Sequence, residues 1–204
     1  MATYTWADLY IPEAATLADL SGISLDLRSA REFAELLAEQ FGVGKTNRRL
    51  VEPLSIAITV MYSRPFVTGV RRRLGEADLA ILTPQQRAAH DHIRAYRDKH
   101  VAHSVNSFEE NLPRANYCLE RVNQEGITSI GHGCGRVTGL SGADLKAVIE
   151  LTSALQAHVD FFIAKEQEHL LEIVRRMPLD QVLAEGQKAF VVDTRTAINK
   201  RRKK

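Results

Sequence analysis

From Ser141 to Met177 the chain carries a single apolar stripe. Leu145, Val148, Thr152, Leu155, Val159, Phe162, Ile163, Leu170, Ile173 and Val174 recur mostly at three- and four-residue steps. Side chains at that spacing share one face of an α-helix, so the pattern predicts an amphipathic helix. About 35 residues at a 1.5 Å rise make a rod ~50 Å long. Ser141 opens it and Pro178, which cannot continue a helix, closes it. The other elements must be arranged to cover this rod, and its length favours a second copy of the chain as additional cover.

Shorter patterns supply partners. Leu27, Ala30, Phe33, Ala34, Leu37 and Phe41 mark a helix that Gly42 and Gly44 stop, while residues 1–24 read as irregular. A second helix is expected from about Asn47 to Ser63, with Leu50, Leu54, Ile58 and Met61 on one side. Pro53 should kink it or mark its first turn, and Arg64-Pro65 should end it. A connector over 66–82 holds the basic run Arg71, Arg72 and Arg73. Thr83-Pro84 then starts a helix with Ala89, Ile93 and Tyr96 inward. Extended stretches near 115–122 and 127–137, around Asn-Gln-Glu-Gly, predict a β-hairpin, and a last short helix is expected over 180–189. The expected fold is therefore all-α: an antiparallel helical bundle with one very long C-terminal helix and a small β-hairpin insertion at about 115–138. It would form one domain over 1–190, followed by a basic tail over 191–204.

Composition narrows the function classes. With 45% hydrophobic and 25% charged residues and a net charge of +2, the chain lacks a broadly basic coat, so any nucleic-acid contact would be local. The terminal Asn-Lys-Arg-Arg-Lys-Lys reads as a solvated basic end. Cys118 and Cys134 form no Cys-x-x-Cys pair and cannot build a disulfide framework or a four-thiolate zinc site. The first residues lack a basic stretch followed by an apolar one, and the longest apolar run, Ile56 to Tyr62, is too short to span a bilayer. A soluble, cytoplasmic protein without a membrane partner is expected.

Four stretches could carry chemistry. Gly-Val-Gly-Lys-Thr at 42–46 looks like the end of a phosphate-binding loop, but Glu39 stands where that motif needs glycine, and a helix rather than a strand precedes it. Gly-His-Gly-Cys-Gly at 131–135 offers His132 and Cys134, two ligands where a structural zinc needs four. His100 and His103 would share a helical face and could chelate a metal, with His158 or His169 as a third ligand. Finally, Arg97 and His103 together suit phosphodiester chemistry: imidazole moves a proton near neutral pH and guanidinium binds phosphate oxygens. On a regular α-helix, residues six apart point about 120° from each other. The pair would therefore require the helix to end near His100, or completion across a symmetric contact. A plain helix end, with Lys99 and the histidines facing the C-terminal dipole, stands beside these readings.

Arg-Asp-Lys-His-Val-Ala-His-Ser at 97–104 resembles the signature of the HEPN superfamily (higher eukaryotes and prokaryotes nucleotide-binding domains), an arginine followed after four to six positions by a histidine. Arg97 matches the motif arginine, Asp98 the polar residue that often follows it, His103 the motif histidine, and Ala102 the small residue before it. Tyr-Ser-Arg-Pro-Phe at 62–66 and the stretch 82–104 are most similar to HEPN-like proteins related to bacterial abortive-infection systems; the likeness covers about 60–104. The resemblance implies a helical bundle that dimerises so that both motifs line one cleft, and a metal-independent endoribonuclease that needs no cofactor. A ribose 2′-hydroxyl would attack the adjacent phosphate, with His103 transferring protons, Arg97 holding the phosphate and Asp98 orienting the pair. Tyr96, Lys99 and His100 would be neighbouring RNA contacts. Such proteins serve as toxins or antiphage effectors, some held in check by an inhibitory protein partner. A non-catalytic dimeric interaction module and a metal-dependent bundle enzyme are the alternatives.

Overall fold

The structure, a computed structural model, describes residues 7–42, 47–69, 71–101, 109–121, 126–136 and 139–185. It is mostly helical with one small antiparallel sheet of two strands. The elements in chain order are α1 (Ala15–Gly42), α2 (Arg48–Ser63), α3 (Glu76–Leu79), α4 (Pro84–Tyr96), β1 (Glu109–Tyr117), β2 (Ile127–Arg136), α5 (Gly142–Arg175) and α6 (Leu179–Glu185).

The long rod is present as α5, 34 residues capped by Ser141, whose side chain accepts from Asp144 N–H. Asp144 returns the bond through Oδ2 to Ser141 N–H at 2.8 Å, satisfying donors that the first turn would otherwise leave open. Its principal partner is α1. The two run antiparallel: Ser24 Oγ donates to Asp160 at 2.9 Å, while Leu17 lies near Leu170 further along α5. On α1 the fully buried side chains are Leu20, Ile23, Leu27, Ala30, Ala34 and Leu37; on α5 they include Leu145, Val148, Leu155 and Val159, with Thr152 buried among them. Both seams alternate steps of three and four, which keeps a narrow stripe facing a near-parallel or antiparallel neighbour.

Helix α1 starts at Ala15, so residues 15–24 are helical rather than irregular as expected. Leu20 and Ile23 extend the buried stripe backwards by two steps. What hides this in the sequence is Ser21-Gly22, which reads as a break. A Cβ at Gly22 would lie 2.9 Å from Arg71 Nη1, the flexible end of that side chain, which would have to shift. The Arg71 guanidinium passes over this glycine to reach buried Asp26, donating from Nη2 to Oδ2 at 2.6 Å, and Arg64 Nε approaches the other oxygen at 3.4 Å. The neighbouring Arg72 N–H donates to Asp19, and Arg73 donates to Thr68. The basic run thus ties the connector to α1.

Helix α2 begins after Asn47, whose side chain accepts from Arg49 N–H, and continues through Pro53, which lies beyond the first turn. It ends at Ser63, and Arg64–Phe66 follows as a 3₁₀ turn. Thr83 caps α4 in a reciprocal box with Gln86. Helix α2 packs on α1 and α4, and α4 packs on α5. Short α3 is fixed to α5 by Asp78, which contacts His158 Nε2 at 3.2 Å.

The return from the hairpin to α5 is tight. Leu140 N–H donates to Ser55 Oγ at 3.0 Å, and a Cβ on Gly139 would stand 2.3 Å from Val51 Cγ1. Gly139→Ala should therefore cost about 1–2 kcal/mol by forcing this loop off α2; a chemical-denaturation midpoint equal to the parent's would show that the loop can yield.

By length and composition α5 is also a helix that could cross a membrane, although its apolar residues are interspersed with polar ones and form no long run. Only 28% of its most apolar 18-residue window is buried. Its buried apolar residues from Leu145 to Val159 belong to the central core, and the core helix of a globular protein can have the same composition.

Candidate functional site

Four of the chain's seven histidines fall within 90–103, and the fold sends the two whose side chains are described, His90 and His92, in different directions. His90 turns into the core at 3% exposure, one turn before Ile93 and Tyr96 on the same face of α4. His92 points the other way and meets Asp144 of α5 at 3.3 Å. His132 is exposed on β2, and His158 is engaged with Asp78 and edge-on to Phe162. Among the described residues no three His, Cys, Asp or Glu side chains gather as a metal site. The stretches 43–46 and 186–204 lie outside the described residues, so the Gly-Val-Gly-Lys-Thr and tail readings fall largely or wholly there.

His90 forms the most enclosed polar contact on α4. Its Nδ1 and Tyr62 Oη are hydrogen-bonded at 2.6 Å, with the Phe66 ring edge-on at 4.7 Å and Arg94 over that ring at 5.8 Å. Burial first, and then the Arg94 charge, push the His90 imidazolium down from its ordinary 6.5 to about 4. Burial also raises the Tyr62 phenol. The imidazole is therefore neutral and the phenol protonated at pH 7, which makes Tyr62 the donor and Nδ1 the acceptor. Tyr62 and Phe66 belong to Tyr-Ser-Arg-Pro-Phe and His90 to 82–104, so this contact joins the two stretches that carried the resemblance. The sequence alone gave no sign that His90, rather than a neighbour, would be the inward histidine beyond its position three before Ile93.

Arg97 sits where the backbone changes. Helix α4 ends at Tyr96, and Arg97–Val101 continues as one π-helical turn packed beside α2. Such wide turns are frequent at functional sites because they re-aim side chains out of the regular helical period. The turn departs from the regular helical period at Arg97 itself, and the position of His103 relative to it lies outside the described residues. Tyr96 is buried at 6% and Val101 packs on the core, so the turn is anchored from both ends. Arg97 is partly exposed and donates from Nη1 to Asp98 Oδ1 at 2.8 Å. A guanidinium has five N–H donors, and this contact engages Nη1. Lys99 is exposed beside it. His100 lies in the π turn, with its side chain outside what is described, and His103 lies outside the described residues altogether. The structure thus places Arg97, Asp98 and Lys99 on one turn, with buried Tyr96 closing the helix before it. A separate cleft of about 350 Å³, lined by Thr83, Gln85, Gln86, Ala89, Ala147 and Glu150, includes none of them.

Compared with known proteins, the chain matches no protein-family model, no curated protein and no solved structure.

Proposed function

We propose that this chain is a HEPN-like, metal-independent endoribonuclease, built as an antiparallel helical bundle and working as a cytoplasmic homodimer in a defence or toxin–antitoxin system, with an inhibitory protein as a further partner. The observation that carries this reading is the π turn at Arg97–Val101, which presents a partly exposed arginine already oriented by Asp98. Arg97 binds the scissile phosphate of RNA through its forked donors, His103 moves the proton of the attacking 2′-hydroxyl, and Lys99 and His100 hold the flanking backbone. Tyr96 is an exception among the RNA contacts: its burial gives it an anchoring role instead. A partly exposed arginine on a surface turn, rather than in an enclosed cavity, suits a polymer substrate.

The test is cleavage of a mixed RNA pool in EDTA. We expect products with 2′,3′-cyclic phosphate ends, and a loss of at least 100-fold in both Arg97→Ala and His103→Ala, the scale of a lost acid–base or charge-stabilising group. Cleavage that persists in both variants would remove the motif from the chemistry. The second reading, a non-catalytic interaction module, is favoured by the engagement of Arg97 with Asp98, an ion pair that a purely structural helix end would also contain. It predicts no cleavage and unchanged partner binding in Arg97→Ala.

A further inference from the structure

The hairpin is a ribbon with little cover. Glu110 to Tyr117 is exposed throughout, as are Ile127 to Ile130, and the apolar side chains Tyr117 and Ile130 are 66% and 72% exposed. Two strands alone are marginal in water, and three or more are ordinarily needed. Its internal register is nevertheless defined: Pro113 pairs with His132 and Leu112 with Gly133, and the Arg114 guanidinium lies across Gly133, where any Cβ would collide with it.

Among the described residues neither outer edge of the ribbon is paired, and the two edges differ. Cys118 N–H donates across the ribbon to Gly126 O at 2.8 Å. In an antiparallel ladder the inward-facing residues alternate, and the irregularity in pairing places the extra residue, Thr128, on β2 rather than β1. Counting back along β1, residues 116, 114 and 112 face inward, and Pro113 turns its nitrogen outward. The β1 edge is therefore interrupted by a proline that cannot donate, a common protection of edge strands. Across the ladder, Ile130, His132 and Cys134 turn their main-chain groups outward along the free edge of β2. That edge has no proline, and Ile127 to Gly135 contains no Asp, Glu, Lys or Arg. A strand without proline that carries no charge before its closing Arg136 is a template for pairing.

We infer that the β2 edge is a self-association surface, and that its occupant is the β2 edge of a second copy, pairing antiparallel about a two-fold axis at His132. The argument for a second copy is self-complementarity. Ile130-Gly131-His132-Gly133-Cys134 is nearly palindromic in character: apolar, glycine, histidine, glycine, apolar. A two-fold axis at His132 sets Ile130 against the partner's Cys134, Gly131 against the partner's Gly133, and His132 against its own equivalent, as an isologous contact requires. Outward N–H and C=O groups then pair reciprocally at 130, 132 and 134, and two ribbons become a four-stranded sheet. This surface is separate from the Arg97 turn and stands whether or not the chain cleaves RNA.

The geometry gives a direct test. Directly opposed residues in a hydrogen-bonded antiparallel pair have Cα atoms about 5.5 Å apart, within disulfide range. In a full-length Cys118→Ser/Cys134→Ser background, His132→Cys should form a covalent dimer under mild oxidation. Ser129→Cys, whose equivalents would lie about 20 Å apart at 3.4 Å per residue, should not. Ile130→Lys, a change at an exposed side chain, should abolish crosslinking through position 132 while the circular dichroism spectrum is retained. Absence of crosslinking by His132→Cys in folded protein would overturn the pairing, as would equal crosslinking at 129 and 132. A dimer that persists by sedimentation without the 132 crosslink would assign association to another surface.

Discussion

Asp26→Ala should unfold at clearly lower urea than the parent chain, with a loss of about 3 kcal/mol. Asp26 is 5% exposed and sits between the Arg71 and Arg64 guanidinium groups. Removing the carboxylate leaves the Arg71 charge held against α1 over Gly22 without its counter-ion, and breaking such a pair from one side costs about 3–5 kcal/mol when both groups are buried. The Arg71 side chain retains 21% exposure, which places the expectation at the low end. The double variant Asp26→Ala/Arg71→Ala should lose less than the two single changes added together, since neither charge is then stranded. If Asp26→Ala shifts stability by under about 0.5 kcal/mol, solvent already screens this pair and the connector is held by its other bonds.

The second large effect is acid sensitivity. The His90 imidazolium lies at about 4 in the folded protein, against 6.5 when unfolded. With the folded value depressed, the unfolded chain takes up the proton first as pH falls. The stabilising contribution is therefore full above pH 6.5 and is lost between 6.5 and 4, at up to about 1.4 kcal/mol per pH unit and ~3 kcal/mol in total. Asp91 and Glu76 oppose the shift, whereas Arg94 and Arg87 reinforce it. Stability measured from pH 7 to pH 5 should show this slope in the parent and lose it in His90→Gln, whatever that variant's starting stability. An imidazole resonance for His90 titrating near 6.5 would contradict the enclosed Tyr62–His90 contact.

The sequence made the elements with uninterrupted periodicity readable. The stripe of α5, its opening at Ser141, the Thr83 cap and the Arg64-Pro65 stop all lie where local chemistry alone requires them. The first ten residues of α1 are not legible because Gly22 looks like a break to any local rule, whereas the burial of Leu20 and Ile23 that keeps this stretch helical comes from packing against elements far along the chain. The hairpin is legible, but its first strand runs over Glu109–Tyr117 rather than 115–122, and it includes Pro113, which a local rule accepts in a strand only at an outer edge. At the candidate site, Arg97 and Asp98 could be named from spacing. The π turn that aims them could not, because it depends on how the end of α4 meets α2. His90 is one of four histidines within 90–103, and only packing distinguishes it as the buried one of the described pair His90 and His92.

The pairing of α1 with α5 also has a consequence during synthesis. About a hundred residues separate the end of α1 from the start of α5. At roughly 5–20 residues per second, α1 leaves the ribosome some 5–20 s before its principal partner exists. During that interval Leu20, Ile23, Leu27 and Leu37 have only α2 and later α4 to shelter them, so the nascent chain offers a ready target for a holding chaperone until α5 is complete.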